Sequence, residues 1–315
     1  MNYKRRSQLN IFKRHKGSCR LAQVPLLAWV SLLASVFLGS ANAASLIEET
    51  LQVPVTVRLP GAAAASISRQ IAVRVVREAV AERRPFLILL HGRAADPQGR
   101  ARLALPIYPA NSRYFAAQGF VVLIPLRVGY GITPDPDLEV SGDCQFKRYL
   151  DAVLPAVAQT GAVIEFAHSL PFVDIAHGIL VGESFGGLVA IAAAAEPPAG
   201  VVAAVNVAGG DGGDSRERPD APCRPDQLRE AFAHYGKMSR IPTLWLYSAN
   251  DRLWGPLYPH EWYRAFVGAG GTATYAALPA DKNNGHFIFN RNASAWHPAF
   301  ERFIATLRLA KPAPP

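Results

Sequence analysis

One stretch constrains this chain more than any other: Gly178-Ile179-Leu180-Val181-Gly182-Glu183-Ser184-Phe185-Gly186-Gly187. A short apolar run enters a turn of small residues and leaves it as an apolar, Ala-rich segment, Leu188 to Ala195. The first part reads as a buried strand and the second as a helix, with Ser184 at the corner. G-x-S-x-G in that context is a nucleophile elbow, a sharp turn that strains the serine and pushes its hydroxyl above the sheet. Gly182 and Gly186 avoid side-chain collisions across so tight a turn, and Gly187 lets the helix approach the sheet. The first turn of the helix offers free N–H groups and a positive dipole end to an oxyanion forming at the serine.

The remaining segments supply a sheet for that corner. Val53–Leu59 and Ile71–Val76 alternate apolar and polar residues around Pro60-Gly61, the pattern of an antiparallel hairpin or meander at a sheet edge. Phe86–Leu90, Phe120–Ile124, Val201–Val207, Thr243–Tyr247 and Thr272–Leu278 read as further strands. Between them lie predicted helices at Pro109–Gln118, Phe146–His168, Gln227–Tyr235, Pro259–Val267 and His297–Leu309. Pro155 either kinks the second of these or opens a separate helix. Strands alternating with helices predict an α/β fold, with a mostly parallel central sheet and helices on both faces.

A serine hydroxyl needs a base, and the base needs an orienting acid. Around an elbow of this kind the chain order is Ser, then Asp or Glu, then His. Asp251 ends the strand-like run Thr243 to Asn250, and His286 sits in Asn284-Gly285-His286 after the last strand. Asp211 and Asp214 fall one strand too early, Asp281 has no strand leading into it, and His260 and His297 fall in helical stretches. The backbone N–H of Phe185 is one expected oxyanion donor, and that of Arg93, in the loop after His91-Gly92, is the other, with Ala94 next. Arg127, Tyr130, Trp254 and Tyr258 follow strand ends on the same side. They either line a substrate pocket or pack for structure. Asp135 and Asp137, in a Pro-rich loop, offer a calcium site as a remote alternative, and no metal site is expected.

These residues carry a resemblance. Leu89-Leu90-His91-Gly92, Gly182-Glu183-Ser184-Phe185-Gly186-Gly187, Ser248-Ala249-Asn250-Asp251-Arg252 and Gly285-His286 resemble the α/β-hydrolase superfamily, and within it the dienelactone-hydrolase-like and prolyl-oligopeptidase-like serine hydrolases. The resemblance runs from about residue 84 to the end. It implies the α/β-hydrolase fold and a triad of Ser184, Asp251 and His286, with no cofactor. Dienelactone hydrolases proper carry cysteine where this chain has Ser184, which points away from dienelactones and towards ester hydrolysis. The propeller of prolyl oligopeptidases is not expected in the short segment before the first core strand.

Composition bears on compartment and partners. Seven of the nine net positive charges come from Lys4, Arg5, Arg6, Lys13, Arg14, Lys16 and Arg20, so the basic balance belongs to the N-terminus and does not argue for nucleic-acid binding. That basic stretch precedes an uncharged run, Leu21 to Gly39, and a small-x-small site, Ala41-Asn42-Ala43. Residues 1–43 are therefore expected to be a signal peptide, and residues 44–315 a single periplasmic or secreted domain without stable membrane insertion. An uncleaved anchor is the alternative. Beyond the leader two cysteines remain, Cys144 and Cys223, an even count that suggests one disulfide in an exported protein. They lie in the loops after strands Phe120–Ile124 and Val201–Val207, which in the expected strand order are separated by the elbow strand. The expected activity is serine carboxylesterase on a small-molecule ester. The alternatives are a peptidase or amidase, and a non-catalytic binding protein on the same scaffold.

Overall fold

The computed structural model describes residues 45–58, 65–94, 96–131, 136–307 and 309. By its contacts the chain divides into Met1–Ala41 and Asn42–Pro315. The expected signal peptide lies outside the described residues. Eight strands form one sheet in the order β1-β2-β4-β3-β5-β6-β7-β8. They are β1 (Leu46–Arg58), β2 (Ser66–Glu78), β3 (Arg84–Leu90), β4 (Val121–Pro125), β5 (Val173–Glu183), β6 (Val201–Val207), β7 (Thr243–Ser248) and β8 (Ala273–Leu278). β1 pairs with β2, and β2 with β4, antiparallel, as the alternating hairpin pattern requires. Every other neighbouring pair is parallel.

The period of two in each central strand divides its side chains between two cores. In β3, Phe86, Ile88 and Leu90 join one core, while Leu87 and Leu89 join the other. The first core takes in α3 (Tyr149–Ser169), α4 (Phe185–Ala195), α5 (Pro225–Met238) and α6 (Tyr258–Gly268). Opposite lie α2 (Pro109–Ala117) and, past a 3₁₀ turn at Gly285–Phe287, α7 (Ile288–Arg291) and α8 (Ala293–Thr306). Helices thus cover both faces, as expected for an α/β-hydrolase fold.

Three local features differ from expectation. α3 runs unbroken through Pro155, in its second turn. Among the described residues it is the one helix long and apolar enough to cross a membrane, and half of its apolar window is buried in the protein. A short helix, α1 (Pro97–Arg102), had signals that went unread: Asp96 caps it, accepting the Gly99 N–H at 2.6 Å, and Pro97 follows. The third concerns the sheet. β4 and β6, whose following loops carry the two cysteines, are separated by both β3 and β5 and not by the elbow strand alone.

Candidate active site

β5 passes directly into α4 through Ser184, whose φ of 56° and ψ of −125° are a strained conformation for a residue with a side chain. The glycines around it are dictated by contact. A Cβ on Gly182 would lie 2.0 Å from the Gly186 carbonyl oxygen, and one on Gly186 2.2 Å from that of Leu90. Phe185 is the first residue of α4, so its N–H has no intrahelical acceptor. The Gly210 N–H donates to the Ser184 carbonyl at 3.2 Å, which ties the loop after β6 to the elbow.

β5, β7 and β8 are mutually parallel, so their carboxyl ends share one edge of the sheet. Ser184, Asp251 and His286 all follow strand ends on that edge. Asp251 and His286 are in contact: Nδ1 of the imidazole lies 2.9 Å from Oδ2 of the carboxylate, both side chains being buried. The other Asp251 oxygen accepts the backbone N–H groups of Leu253 at 2.9 Å and Trp254 at 3.2 Å. The acid is thereby locked with one oxygen towards the ring. Burial disfavours the charged imidazole, but the Asp251 carboxylate, its hydrogen bond and the more distant Glu183 carboxylate outweigh it. The His286 pKa is raised above the ordinary histidine value.

The loops carrying acid and histidine are bound to one another by asparagines that sequence reasoning passed over. Asn284 Oδ1 accepts the backbone N–H groups of both His286 and Arg252 at 3.0 Å. Asn250 Oδ1 accepts the Asp281 N–H at 2.9 Å. An Asn two residues before a candidate histidine is the Asx-turn signal that could have found the first. Glu183 was also passed over. It is buried beside the serine and accepts Tyr108 O–H at 2.7 Å and Asn290 Nδ2 at 3.3 Å, and its carboxyl is pushed up by burial.

Of the two readings open for the residues after strand ends, packing for structure fits Arg127, Tyr130 and Trp254. Arg127 and Tyr130 are 1% exposed and do not line an open pocket. Arg127 makes a buried ion pair with Glu139, at 2.5 Å from Nε to Oε1, and the Tyr130 hydroxyl donates to Oε2 at 2.6 Å. The carboxylate holds both side chains inward. Trp254 is equally buried, its indole N–H donating to the Ala208 carbonyl at 2.7 Å and its ring meeting His286 edge-on at 5.3 Å. It is packing beneath the imidazole. Tyr258 is partly buried and stacks on Trp262. The Arg93 side chain turns to Asp137 at 2.6 Å, leaving the backbone role untouched. Asp137 also pairs with Arg100, which accounts for its charge, while Asp135 lies outside the described residues. Among the described residues no group of His, Cys, Asp and Glu is placed to hold a metal.

Cys144, in the segment between β4 and α3, and Cys223, between β6 and α5, are joined as a disulfide with their Cα atoms 4.9 Å apart.

Residues 87–311 match the Alpha/beta hydrolase family. No curated protein matches the chain significantly. The fold is similar to that of the Pyrococcus horikoshii acylaminoacyl peptidase, with a TM-score of 0.60 at 15% identity over 86% of this chain and 43% of that one. It is also similar to a structure described as a dienelactone hydrolase from Klebsiella pneumoniae, at TM-score 0.54 and 16% identity, covering 84% of this chain and 98% of that one. An acetyl xylan esterase from Paenibacillus aligns at TM-score 0.53 and 17% identity, over 83% and 89% of the two chains. This chain thus spans less than half the length of the peptidase and most of the length of the two others. At such identities the likeness is one of fold.

Proposed function

Because the chain belongs to the alpha/beta hydrolase family, we propose that it is an exported serine hydrolase that cleaves carboxylic esters of small molecules through an acyl-enzyme. The observation that carries this reading is the buried Asp251–His286 pair, at 2.9 Å, on the same sheet edge as a serine in a strained elbow. In this mechanism Ser184 Oγ bonds to the ester carbonyl carbon while its proton passes to Nε2 of His286, whose Nδ1–H is held by Asp251. The N–H groups of Phe185 and Arg93 receive the oxyanion. As the carbonyl re-forms, the C–O bond to the alcohol breaks and His286 returns the proton to it. Water then repeats the sequence and frees the acid. This chemistry uses no organic cofactor or metal.

Esters are preferred over amides because the two similar structures whose length this chain mostly spans bear the names of ester-cleaving enzymes. The peptidase likeness makes amide cleavage the second reading. Export is supported by the Cys144–Cys223 disulfide, which suits an oxidising compartment, and by the basic-then-apolar N-terminus. The partner on this reading is the ester itself, with neither nucleic acid nor a permanent membrane contact after leader removal.

The test is turnover of a panel of esters and matched amides, with fluorophosphonate labelling. Wild type is expected to be labelled and to prefer esters. Ser184→Ala should lose both labelling and turnover while keeping its circular dichroism. Undiminished turnover in that variant would overturn the reading.

A further inference from the structure

A buried arginine–glutamate pair beside the elbow asks for a reason, because such pairs contribute little to stability against the cost of stripping water from two charges. Its connections supply one. Arg127 uses Nε and Nη2 on Glu139, at 2.5 and 3.2 Å, and turns Nη1 to the His91 carbonyl at 2.8 Å. Nη2 also approaches the Gly92 carbonyl, at 3.4 Å. The His91 ring completes the cradle. Its Nδ1 lies 2.7 Å from the Gly92 carbonyl oxygen, so it carries the hydrogen and donates, and Nε2 accepts the Arg127 backbone N–H at 3.3 Å. Burial and the neighbouring guanidinium hold this imidazole neutral by depressing its pKa, which keeps Nε2 an acceptor.

Arg127 Nη1 and Nη2 and His91 Nδ1 converge on two successive carbonyls, those of His91 and Gly92, and the second belongs to the Gly92–Arg93 peptide. In a planar trans peptide the C=O and N–H point in opposite directions. A Gly92 carbonyl held in the Arg127–His91 cradle therefore turns the Arg93 N–H away from that cradle. On the other flank the Gly92 N–H donates to the Tyr108 hydroxyl at 3.3 Å, which donates to Glu183, the residue before Ser184. Gly92 itself abuts the nucleophile: a Cβ there would lie 3.2 Å from Ser184 Cβ and 3.7 Å from Oγ.

We infer that His91, Arg127 and Glu139 are positioning residues that hold the Gly92–Arg93 peptide with its N–H towards the oxyanion formed at Ser184. This rests on the serine-hydrolase reading above. The planar guanidinium fork suits the task, since it reaches a carboxylate and two carbonyls at fixed angles in a way an ammonium cannot.

The consequence is a loss in the transition state and not in substrate binding. The variant Arg127→Met with Glu139→Gln removes both charges together, so neither is left buried alone. Its kcat should fall on the order of 10²-fold, the usual effect of losing one oxyanion donor, with KM within about threefold of wild type. Affinity for an aryl boronic acid, which forms a tetrahedral adduct with the serine, should fall in parallel with kcat/KM. The pKa in the pH profile should stay where it is, because the Asp251–His286 pair is untouched. His91→Phe, a milder change that keeps a buried ring without its hydrogen bonds, should show the same split to a smaller degree, and His91→Gln should recover part of the loss. Unchanged kcat in folded variants, or a change in KM that follows substrate size, would overturn the inference. Failure of the underlying reading looks different, since it appears as activity surviving Ser184→Ala.

Discussion

Burial by itself would push the His286 imidazole below its ordinary pKa. The Asp251 carboxylate and then Glu183 reverse this, and the net direction is upward. A general base must be unprotonated, so the sign of the effect on rate is set: kcat/KM should rise with pH through a pKa above about 6.5, the ordinary histidine value. Asp251→Asn removes the main upward contribution and leaves burial opposed only by Glu183. The midpoint should then move to lower pH while kcat falls on the order of 10⁴-fold, less than for His286→Ala. A pH–rate series on wild type and Asp251→Asn measures both, and an upward or absent shift would contradict the assignment of His286 as base. The neutral His91 makes a contrast at the same scale. It is buried like His286, but it faces the Arg127 guanidinium and not a carboxylate, and its pKa is driven down. Burial lowers both pKa values; the Arg127 guanidinium adds to it at His91, whereas the Asp251 and Glu183 carboxylates outweigh it at His286.

At the scale of elements, the elbow depends on three strands and a helix meeting with almost no clearance. Gly186, in the first turn of α4, faces the carbonyl oxygens of Leu90 and His91, at 2.2 and 2.7 Å from a would-be Cβ. Both acceptors are backbone, so neither can swing aside. Gly186→Ala should therefore displace the elbow from β3 at a cost of about 1–3 kcal/mol, and disturb the Gly92 segment that follows. Thermal denaturation and kcat of this variant, set against Gly161→Ala in α3, where a Cβ meets nothing within 4 Å, form the check. An equal effect of the two changes would show that packing at the elbow is not the constraint. The central strands themselves were legible because residues buried on both faces leave an unbroken apolar run. α3 was legible by its length, although the local rule for Pro155 did not decide between one helix and two. The amphipathic α8 was anticipated only at its C-terminal part, since Pro298 inside the helix interrupts the pattern.

Across the whole molecule, the Cys144–Cys223 bond spans 79 residues and ties the β4–α3 segment to the β6–α5 segment. A loop of that length corresponds to about 4–5 kcal/mol on the chain-entropy account. Reduction should thus lower the melting temperature by roughly 10 °C for a domain of this size. On the proposed export and leader removal, the chain should show no free thiol when denatured without reductant, and one thiol per chain would mean that Cys19 is retained. Two reactive thiols in the leader-free protein would contradict the bond. The expected strand order placed only the elbow strand between β4 and β6, whereas β3 and β5 both intervene. The cysteines meet because their connections extend over the sheet edge. Strand order is a property of long-range pairing, and no local pattern records it.

The amino-acid sequence alone determined the elbow, the buried strands and the chain order of Ser184, Asp251 and His286, because each rests on local chemistry: a turn that only glycine permits, a run without polar residues, a reactive side chain just past a strand. Only the tertiary structure decided the direction in which residues beyond the strand ends face. Arg127, Tyr130 and Trp254 follow strand ends as pocket residues would, yet all three are buried. For Arg127 and Tyr130 the reason is Glu139, delivered by a loop 12 and 9 residues further on, whose carboxylate satisfies a guanidinium and a phenol that would otherwise seek water. For Trp254 it is the Ala208 carbonyl, 46 residues earlier in the chain, which takes the indole N–H and lets the ring lie beneath His286. A polar group faces inward only when a partner awaits it there, and that partner is supplied by the fold.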